Sequence, residues 1–425
     1  VTGSGKSLHY DELIFIEDKN GMIIKEKIGE FVEKNLNRPK NQGDTSFQNI
    51  KTDYSIISFN PNSFIIKKEK IQQISKHKSK DLFEVTLDDL SNITITKDHN
   101  CYKFNNLKFE LSETKDLKIG DVLPCSNIFY SNDIDFEYIN LLDYNPNVKV
   151  NIKDLVLKYD SNFKKLRLFL KRSHKSYNWK IKQIIDETKE RGISINELYG
   201  FLDILKLKLG NVNETIRIIT KGEDKLNPLI KVDENLLSFI GLYISEGHAT
   251  KKYIIISNSN RELQNKNKDL FDFYNLNYNT RNKNDIQFNS VLFSNFFQIF
   301  GKTSYFKKIP SLLYNFSNKQ LSLILRSIFD GDGWVENNSI HLMSASNELI
   351  YDVKNILLKF DITSRISVKK LKYNGAIKKY LKLNISGKQN LVNFEKHISF
   401  LIKYKKQKLN KIVKFKSNTN VDLIY

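Results

Sequence analysis

From about residue 233 the chain repeats itself, and an internal repeat constrains architecture more than any other sequence feature because both copies must fold into the same unit. "LLSFIGLYISEG" closes on Glu246-Gly247 and "LSLILRSIFDGDG" closes on Asp332-Gly333. Each is an apolar stretch of helical period that stops at an acid followed by glycine. The segments after them also correspond, "IISNSNRELQNKNKDLFDFYNL" beside "HLMSASNELIYDVKNILLKFDI", with Asn260 and Asn347 at matching places. A strand hairpin and a further helix follow in both. The reading is two pseudo-symmetric α+β repeats of αββαββα type over residues 233–415.

Tandem copies of one unit pack most simply about a pseudo-twofold axis, with the helix that opens each copy lying against its twin. Five residues before each acid stands a small residue, Gly241 in one copy and Ser327 in the other, which lets two helix backbones approach closely. Glu246 and Asp332 then meet on one side. Two carboxylates at helix C-termini, where the dipole is also negative, repel unless a cation lies between them, and hard oxygen ligands of this kind suit Mg²⁺. A metal between two acids is apparatus for phosphodiester hydrolysis. A helix-end turn explains one acid-glycine pair well; it explains two in matching repeats poorly.

The remainder differs in pattern. Residues 7–130 alternate short period-two segments with turns, among them "ELIFIED" and "MIIKEKI" around Lys19-Asn20-Gly21, then "NITITKDHNCYKFNNLKFEL" and "DLKIGDVLPC", which predicts an all-β module. Residues 131–232 read as a helical spacer that contains "NWKIKQIIDETKERG" and "SINELYGFLDILKLKLG", the second opening on a Ser194–Glu197 capping box. A turn at Gly192 between those two helices allows a helix-turn-helix, and thus a DNA-recognition region, beside the plainer reading of a spacer. The chain as a whole is multidomain.

Charge suggests the partner. The 68 Lys and Arg against 48 acids leave a net charge of +20 spread along the chain, a field that attracts polyanions, although an AT-rich genome also enriches Lys and Asn. In each repeat a hairpin, "YNTRNKNDIQFNS" or "SRISVKKLKYNGAIKKYLKLNIS", alternates polar and basic residues in the manner of β-ribbons that enter a major groove. Arg281, Lys283, Arg365, Lys369 and Lys370 are the expected contacts to double-stranded DNA. Cys101 and Cys125 are too few for a disulfide framework or a zinc site. No run of about 18 apolar residues and no signal-peptide pattern occurs, so the expectation is a cytoplasmic chain with no membrane partner.

The opening "VTGSGKSLHYDELIF" has the end of a phosphate-binding loop, with Gly3, Gly5, Lys6 and Ser7 in the order of G-K-[ST]. The signature's first glycine falls one residue before Val1, and a hairpin pattern follows where a P-loop needs a helix. An NTPase is therefore the least favoured reading.

Two resemblances join these observations. "FIGLYISEG" and "LRSIFDGDG" resemble the paired motifs of monomeric LAGLIDADG homing endonucleases, and "FKKIPSLL" resembles that family's Lys-x-hydrophobic-Pro block. The resemblance implies Mg²⁺ ligands at Glu246 and Asp332 and an active-site lysine at Lys307, with Lys308 adjacent; a second lysine has too many candidates in "RISVKKLKYNGAIKKYLKL". "ITITKDHNCYKF" resembles the intein block Thr-x-x-His, here Thr96 to His99, and "DLKIGDVL" the segment after it. An intein interrupted by such an endonuclease implies that residues 1–6 belong to a host ATPase whose P-loop the insertion splits. The same resemblance implies that Ser7 attacks the Lys6 carbonyl, with Thr96 and His99 assisting and the host polypeptide as partner in cis. Splicing also needs a C-terminal His-Asn, and "NTNVDLIY" contains none, so residues 416–425 are expected to be the start of an incomplete closing segment and this chain is not expected to splice. A DNA-binding relic without catalysis is the alternative.

Overall fold

The computed structural model describes all residues except 1–5, 51–52, 64, 79–80, 132, 174–176, 186–191, 221–225, 275, 374 and 415–425. The expected host residues 1–5 and the closing segment from 416 lie outside the described residues. The chain forms two compact units, one of residues 1–135, 308–322 and 332–425, the other of residues 136–307 and 323–331. Among the described residues no helix is long and apolar enough to cross a membrane.

In the first unit, strands Leu13–Glu17 and Ile23–Lys27 pair antiparallel and continue into a four-stranded sheet with Ser55–Asn60 and Ile65–Lys70. The hairpin loop is wider than a two-residue turn. The Asp18 carboxylate accepts from the backbone N–H groups of Asn20 and Met22, both at 2.8 Å. A helix the alternation did not predict, Ile28–Asn35, follows the second strand and buries Phe31 and Val32 beside Ile16, Ile50 and Ile74.

Strand Ile23–Lys27 lies at the edge of its sheet, where unpaired backbone groups need covering. Side chains cover it: Asn315 Oδ1 accepts from Ile23 N at 2.6 Å, Asn315 Nδ2 donates to Ile23 O at 2.9 Å, and Ser311 Oγ accepts from Lys25 N at 2.9 Å. The Lys25 ammonium lies 2.6 Å from Asp352 and 2.8 Å from Glu348 on helix Asn347–Leu357. Asp352 is 2% exposed and also accepts from Tyr314 Oη at 2.9 Å and from Ile309 N at 2.8 Å. Removing one partner of such a pair strands a buried charge, so Asp352→Ala is expected to destabilise the first unit by about 3–5 kcal/mol in urea unfolding. A loss below about 1 kcal/mol would show that Lys25 is re-solvated instead.

Both repeats have the αββαββα order. The first comprises helix Glu234–Glu246, strands Gly247–Ala249 and Tyr253–Ser257, helix Arg261–Phe273, strands Tyr278–Thr280 and Asp285–Asn289, and helix Val291–Phe297. The second comprises helix Asn318–Asp332, strands Gly333–Glu336 and Ser339–Ser344, helix Asn347–Leu357, strands Arg365–Tyr373 and Ala376–Ile385, and helix Lys388–His397. In each four-stranded sheet the strands lie in the sequence order first, second, fourth, third. Asn260 caps its helix by accepting from Glu262 N and Leu263 N, while in the second copy Ser346 caps by accepting from Leu349 N. The counterpart of Asn260 is thus Ser346, one residue before the Asn347 that sequence matching aligned with it, and each cap stands equally far from its acid.

Within residues 136–232 the Ser194–Glu197 capping box forms: Ser194 Oγ accepts from Glu197 N and Glu197 Oε2 accepts from Ser194 N. Ile193–Ser194 form a short strand paired with Lys149–Asn151 directly before helix Ile195–Leu205, and residues 186–191, on which the expected helix-turn-helix depends, lie outside the described residues.

Candidate functional site

Two sites emerge, one in each half of the chemistry expected from the sequence. At the first, residues Ser7 to His9 run antiparallel to strand Asn92–Thr96, through a bridge between Leu8 and Ile95 and a bond from His9 N to Thr94 O at 2.8 Å. Thr96, 2% exposed, grips Ser7 twice: its Oγ1 accepts from Ser7 N at 3.1 Å and its own N–H donates to Ser7 O at 3.0 Å. Ser7 is held on both sides of its Cα. A hydroxyl so placed can turn on the carbonyl that precedes it.

His99 follows in a turn in which its N–H donates to Thr96 O, while its carbonyl accepts from Thr114 N and Thr114 Oγ1. Its Nδ1 is buried with no hydrogen-bond partner among the described residues. Burial lowers the His99 pKa from its ordinary 6.5, the nearby Lys6 ammonium lowers it further, and Asp98 opposes both. A histidine depressed in this way binds protons less readily folded than unfolded, so its contribution to stability is present above about 6.5 and is lost as pH falls through the lowered value. The melting temperature of the wild-type chain is therefore expected to fall below pH 6.5 more steeply than that of His99→Gln. Equal slopes would remove His99 as the cause.

Two neighbours of this site went unnoticed in the sequence. His77 Nδ1 lies 3.0 Å from Ser7 Oγ, and Lys6 Nζ donates to Asn100 Oδ1 at 2.7 Å. Nothing in "ISKHKS" marks His77, which reaches Ser7 only through sheet pairing. Asn100 directly follows the Thr-x-x-His block and could have been suspected from that adjacency alone. The hydroxyl of Ser7 is thus engaged by a histidine, and among the described residues no helix begins before Ile28, so the helix N-terminus that a P-loop needs does not follow Ser7.

At the second site the helices Glu234–Glu246 and Asn318–Asp332 pack closely where small residues allow it. A Cβ on Gly241 would lie 2.2 Å from Ile324 O and 2.7 Å from Ser327 Cβ. A Cβ on Gly331 would lie 2.3 Å from Ser245 Oγ and 3.3 Å from Glu246 Cγ, so the C-terminal turns approach as well. Asp332 is the next residue of that helix. Asn258 Nδ2 donates to Glu246 Oε1 at 3.0 Å and orients the carboxylate.

Lys307 is 1% exposed, its ammonium donating to Tyr243 O at 2.7 Å and lying 3.4 Å from the centre of the Tyr243 ring. Helix C-terminal carbonyls and an aromatic face both favour a cation. The charge is thereby held three residues before Glu246, while Lys308 is half-buried. Among the described residues no group of three or more His, Cys, Asp or Glu could hold a metal, so any ion here depends on a smaller acid set.

The expected DNA contacts divide between the sheets. Arg281 and Lys283 are exposed in the turn between strands Tyr278–Thr280 and Asp285–Asn289, shaped by Asn282 Oδ1 accepting from the N–H groups of Asn284 and Asp285. In the second repeat Arg365 and Lys369 share one face of strand Arg365–Tyr373, whereas Lys370 takes the opposite face because successive strand residues alternate. Across the same face as Arg365 runs a row of paired residues, Trp334, His341 and Asn384. The Trp334 and His341 rings are 5.1 Å apart, His341 Nδ1 lies 2.7 Å from Asn384 Oδ1, and Lys369 Nζ lies 5.3 Å from the Trp334 ring. Sequence reasoning missed this row because it weighed only basic residues.

Residues 319–399 match the profile of the LAGLIDADG-like domain. This stretch of the chain is similar to a LAGLIDADG-like domain. The match runs from the second motif helix through helix Lys388–His397, and the first repeat has the topology of this LAGLIDADG unit. The chain is 45% identical over 114 residues to a probable translation initiation factor IF-2 of Methanocaldococcus jannaschii, covering 26% of this chain and 10% of that protein. It is 31% identical over 229 residues to a replication factor C small subunit of the same organism, covering 51% of this chain and 12% of that protein. It therefore spans only about a tenth of the length of these relatives. Among solved structures, a transcription factor IIB mini-intein is 24% identical with a TM-score of 0.26, covering 28% of this chain and 68% of that one. I-DmoI in complex with its target DNA in the presence of magnesium is 13% identical with a TM-score of 0.31, covering 39% of this chain and 96% of that one.

Proposed function

We propose that this chain is an intein whose splicing module is interrupted by a site-specific LAGLIDADG DNA endonuclease. The observation that carries the reading is the double grip of Thr96 on Ser7, beside the buried His99 Nδ1 that has no hydrogen-bond partner among the described residues, in the same chain as the two close-packed motif helices. The relatives support it. A translation initiation factor and a replication factor subunit have no activity in common by name, yet each resembles this chain over a small part of its length, which is what an inserted element leaves behind.

In the self-processing half, Ser7 Oγ attacks the Lys6 carbonyl carbon and the Lys6–Ser7 amide becomes an ester. Thr96 holds the Ser7 amide, and His99 donates a hydrogen bond to the nitrogen as it leaves. The Gly3, Gly5, Lys6 and Ser7 order is then the P-loop of a host ATPase, divided between Lys6 and the intein's first residue.

In the endonuclease half, Glu246 and Asp332 are hard oxygen donors at the ends of helices packed through Gly241 and Gly331, a set that fits Mg²⁺. Such an ion, when bound, supplies an activated water and charge stabilisation at the scissile phosphate. Asn258 keeps the Glu246 carboxylate turned as it is, and Lys307 holds a fixed positive charge near the same helix end. The face bearing Arg365 and Lys369, with Arg281 and Lys283 in the other repeat, binds the phosphate backbone of double-stranded DNA, in a chain acting as a monomer.

Both halves are tested on the purified chain. Hydroxylamine at neutral pH should release residues 1–6 as a hydroxamate detectable by mass spectrometry, and Mg²⁺ should support cutting of DNA that carries the uninterrupted host P-loop sequence. Binding of that DNA with a steep salt dependence but without cutting would leave a DNA-binding relic.

A further inference from the structure

The roles given to Thr96 and His99 concern the Ser7 nitrogen, and neither removes the proton that the Ser7 hydroxyl must lose. A serine hydroxyl is a weak nucleophile that needs an adjacent base. His77 stands there, with Nδ1 3.0 Å from Ser7 Oγ. It is the last residue of strand Gln73–His77, held by pairing with strand Thr45–Asn49 in the register that sets Thr45 opposite His77. The ring is half-buried and is carried on a strand rather than a loop tip, so its place beside the hydroxyl belongs to the fold.

We propose that His77 is the general base that takes the Ser7 hydroxyl proton, an assignment that rests on the intein reading above. With the ring proton on Nε2, His77 Nδ1 accepts from Ser7 Oγ–H. As the bond from Oγ to the Lys6 carbonyl carbon forms, the proton passes to Nδ1. The bond between that carbon and the Ser7 nitrogen then breaks, and the proton held on His77 goes to the departing nitrogen. An amide and a hydroxyl become an ester and an amine, with no proton gained or lost and no other reactant. His77 is a catalytic residue on this account because it touches the reacting atom, and it does so from a segment 70 residues along the chain.

The test compares serine with a nucleophile that can dispense with a base. A thiol ionises far more readily than a hydroxyl, so a cysteine at position 7 supplies its own thiolate. In the full chain, His77→Ala is expected to slow hydroxylamine-induced release of residues 1–6 by about 100-fold. In the Ser7→Cys background the same substitution is expected to slow it by less than about tenfold. His77→Gln, which can still hydrogen-bond the hydroxyl but cannot take its proton, should be as slow as His77→Ala, and circular dichroism should show both folded. A serine chain unaffected by His77→Ala, equal losses in the two backgrounds, or full rescue by Gln would each overturn the assignment and leave His77 a structural contact. If neither the wild-type nor the Ser7→Cys chain releases residues 1–6 under any of these conditions, the intein reading itself falls, and the base with it.

Discussion

Asp332→Asn is expected to reduce DNA cleavage by at least about 100-fold while leaving DNA binding intact. Asn matches Asp in shape, and the helix that ends at this residue continues to pack through Gly331 against Ser245 and Glu246. What is lost is one of two negative charges proposed to hold the cation, and removing a single preorganised electrostatic contact at a reacting centre typically costs about 10²–10³ in rate. Binding depends on separate groups, the exposed Arg365 and the Arg281 and Lys283 of the other repeat, so the slope of log affinity against log salt should not change. Cleavage and binding are measured on the same DNA. Retention of wild-type cutting by Asp332→Asn would mean that the acid is a helix-end residue, and a parallel collapse of binding would mean that the substitution damaged the fold. Chelation of divalent metal in the wild-type chain should reproduce the Asp332→Asn result.

Ser7→Ala is expected to abolish the hydroxylamine-dependent release of residues 1–6 completely, since it removes the hydroxyl proposed to form the ester. The hydrogen bonds from Ser7 N to Thr96 Oγ1 and from Thr96 N to Ser7 O are made by backbone atoms of residue 7 and survive the substitution, so the local fold should persist. Mass spectrometry of the treated chain decides the matter. Release that continues in the alanine chain would place the cleavage chemistry on a different residue and remove Ser7 from the site.

Much of the second site was readable from the sequence because its determinants are local. An apolar stretch of helical period, a small residue five places before the end and an acid followed by glycine lie within one helix, and seeing the pattern twice turned a common feature into a specific one. The face of Lys370 was equally available: strand alternation sets it opposite Arg365 and Lys369, and only attention to charge rather than parity grouped the three together. The strand pairing of Ile193–Ser194 with Lys149–Asn151 was not available in this way, because it depends on residues more than forty positions away.

Sequence alone determined the repeated αββαββα unit and the β-rich start, since each is encoded in the period of short segments; it singled out the two acids by their matching places in the repeat, and Ser7, Thr96 and His99 only through the resemblance to an intein block. Tertiary structure alone decided that His77 faces the Ser7 hydroxyl, that Asn100 holds Lys6, and that Lys25 is buried against Asp352. These partners are separated by between 70 and 327 residues. A contact of that range leaves no local period in the sequence; it exists only once strands and helices formed for their own local reasons have been packed together.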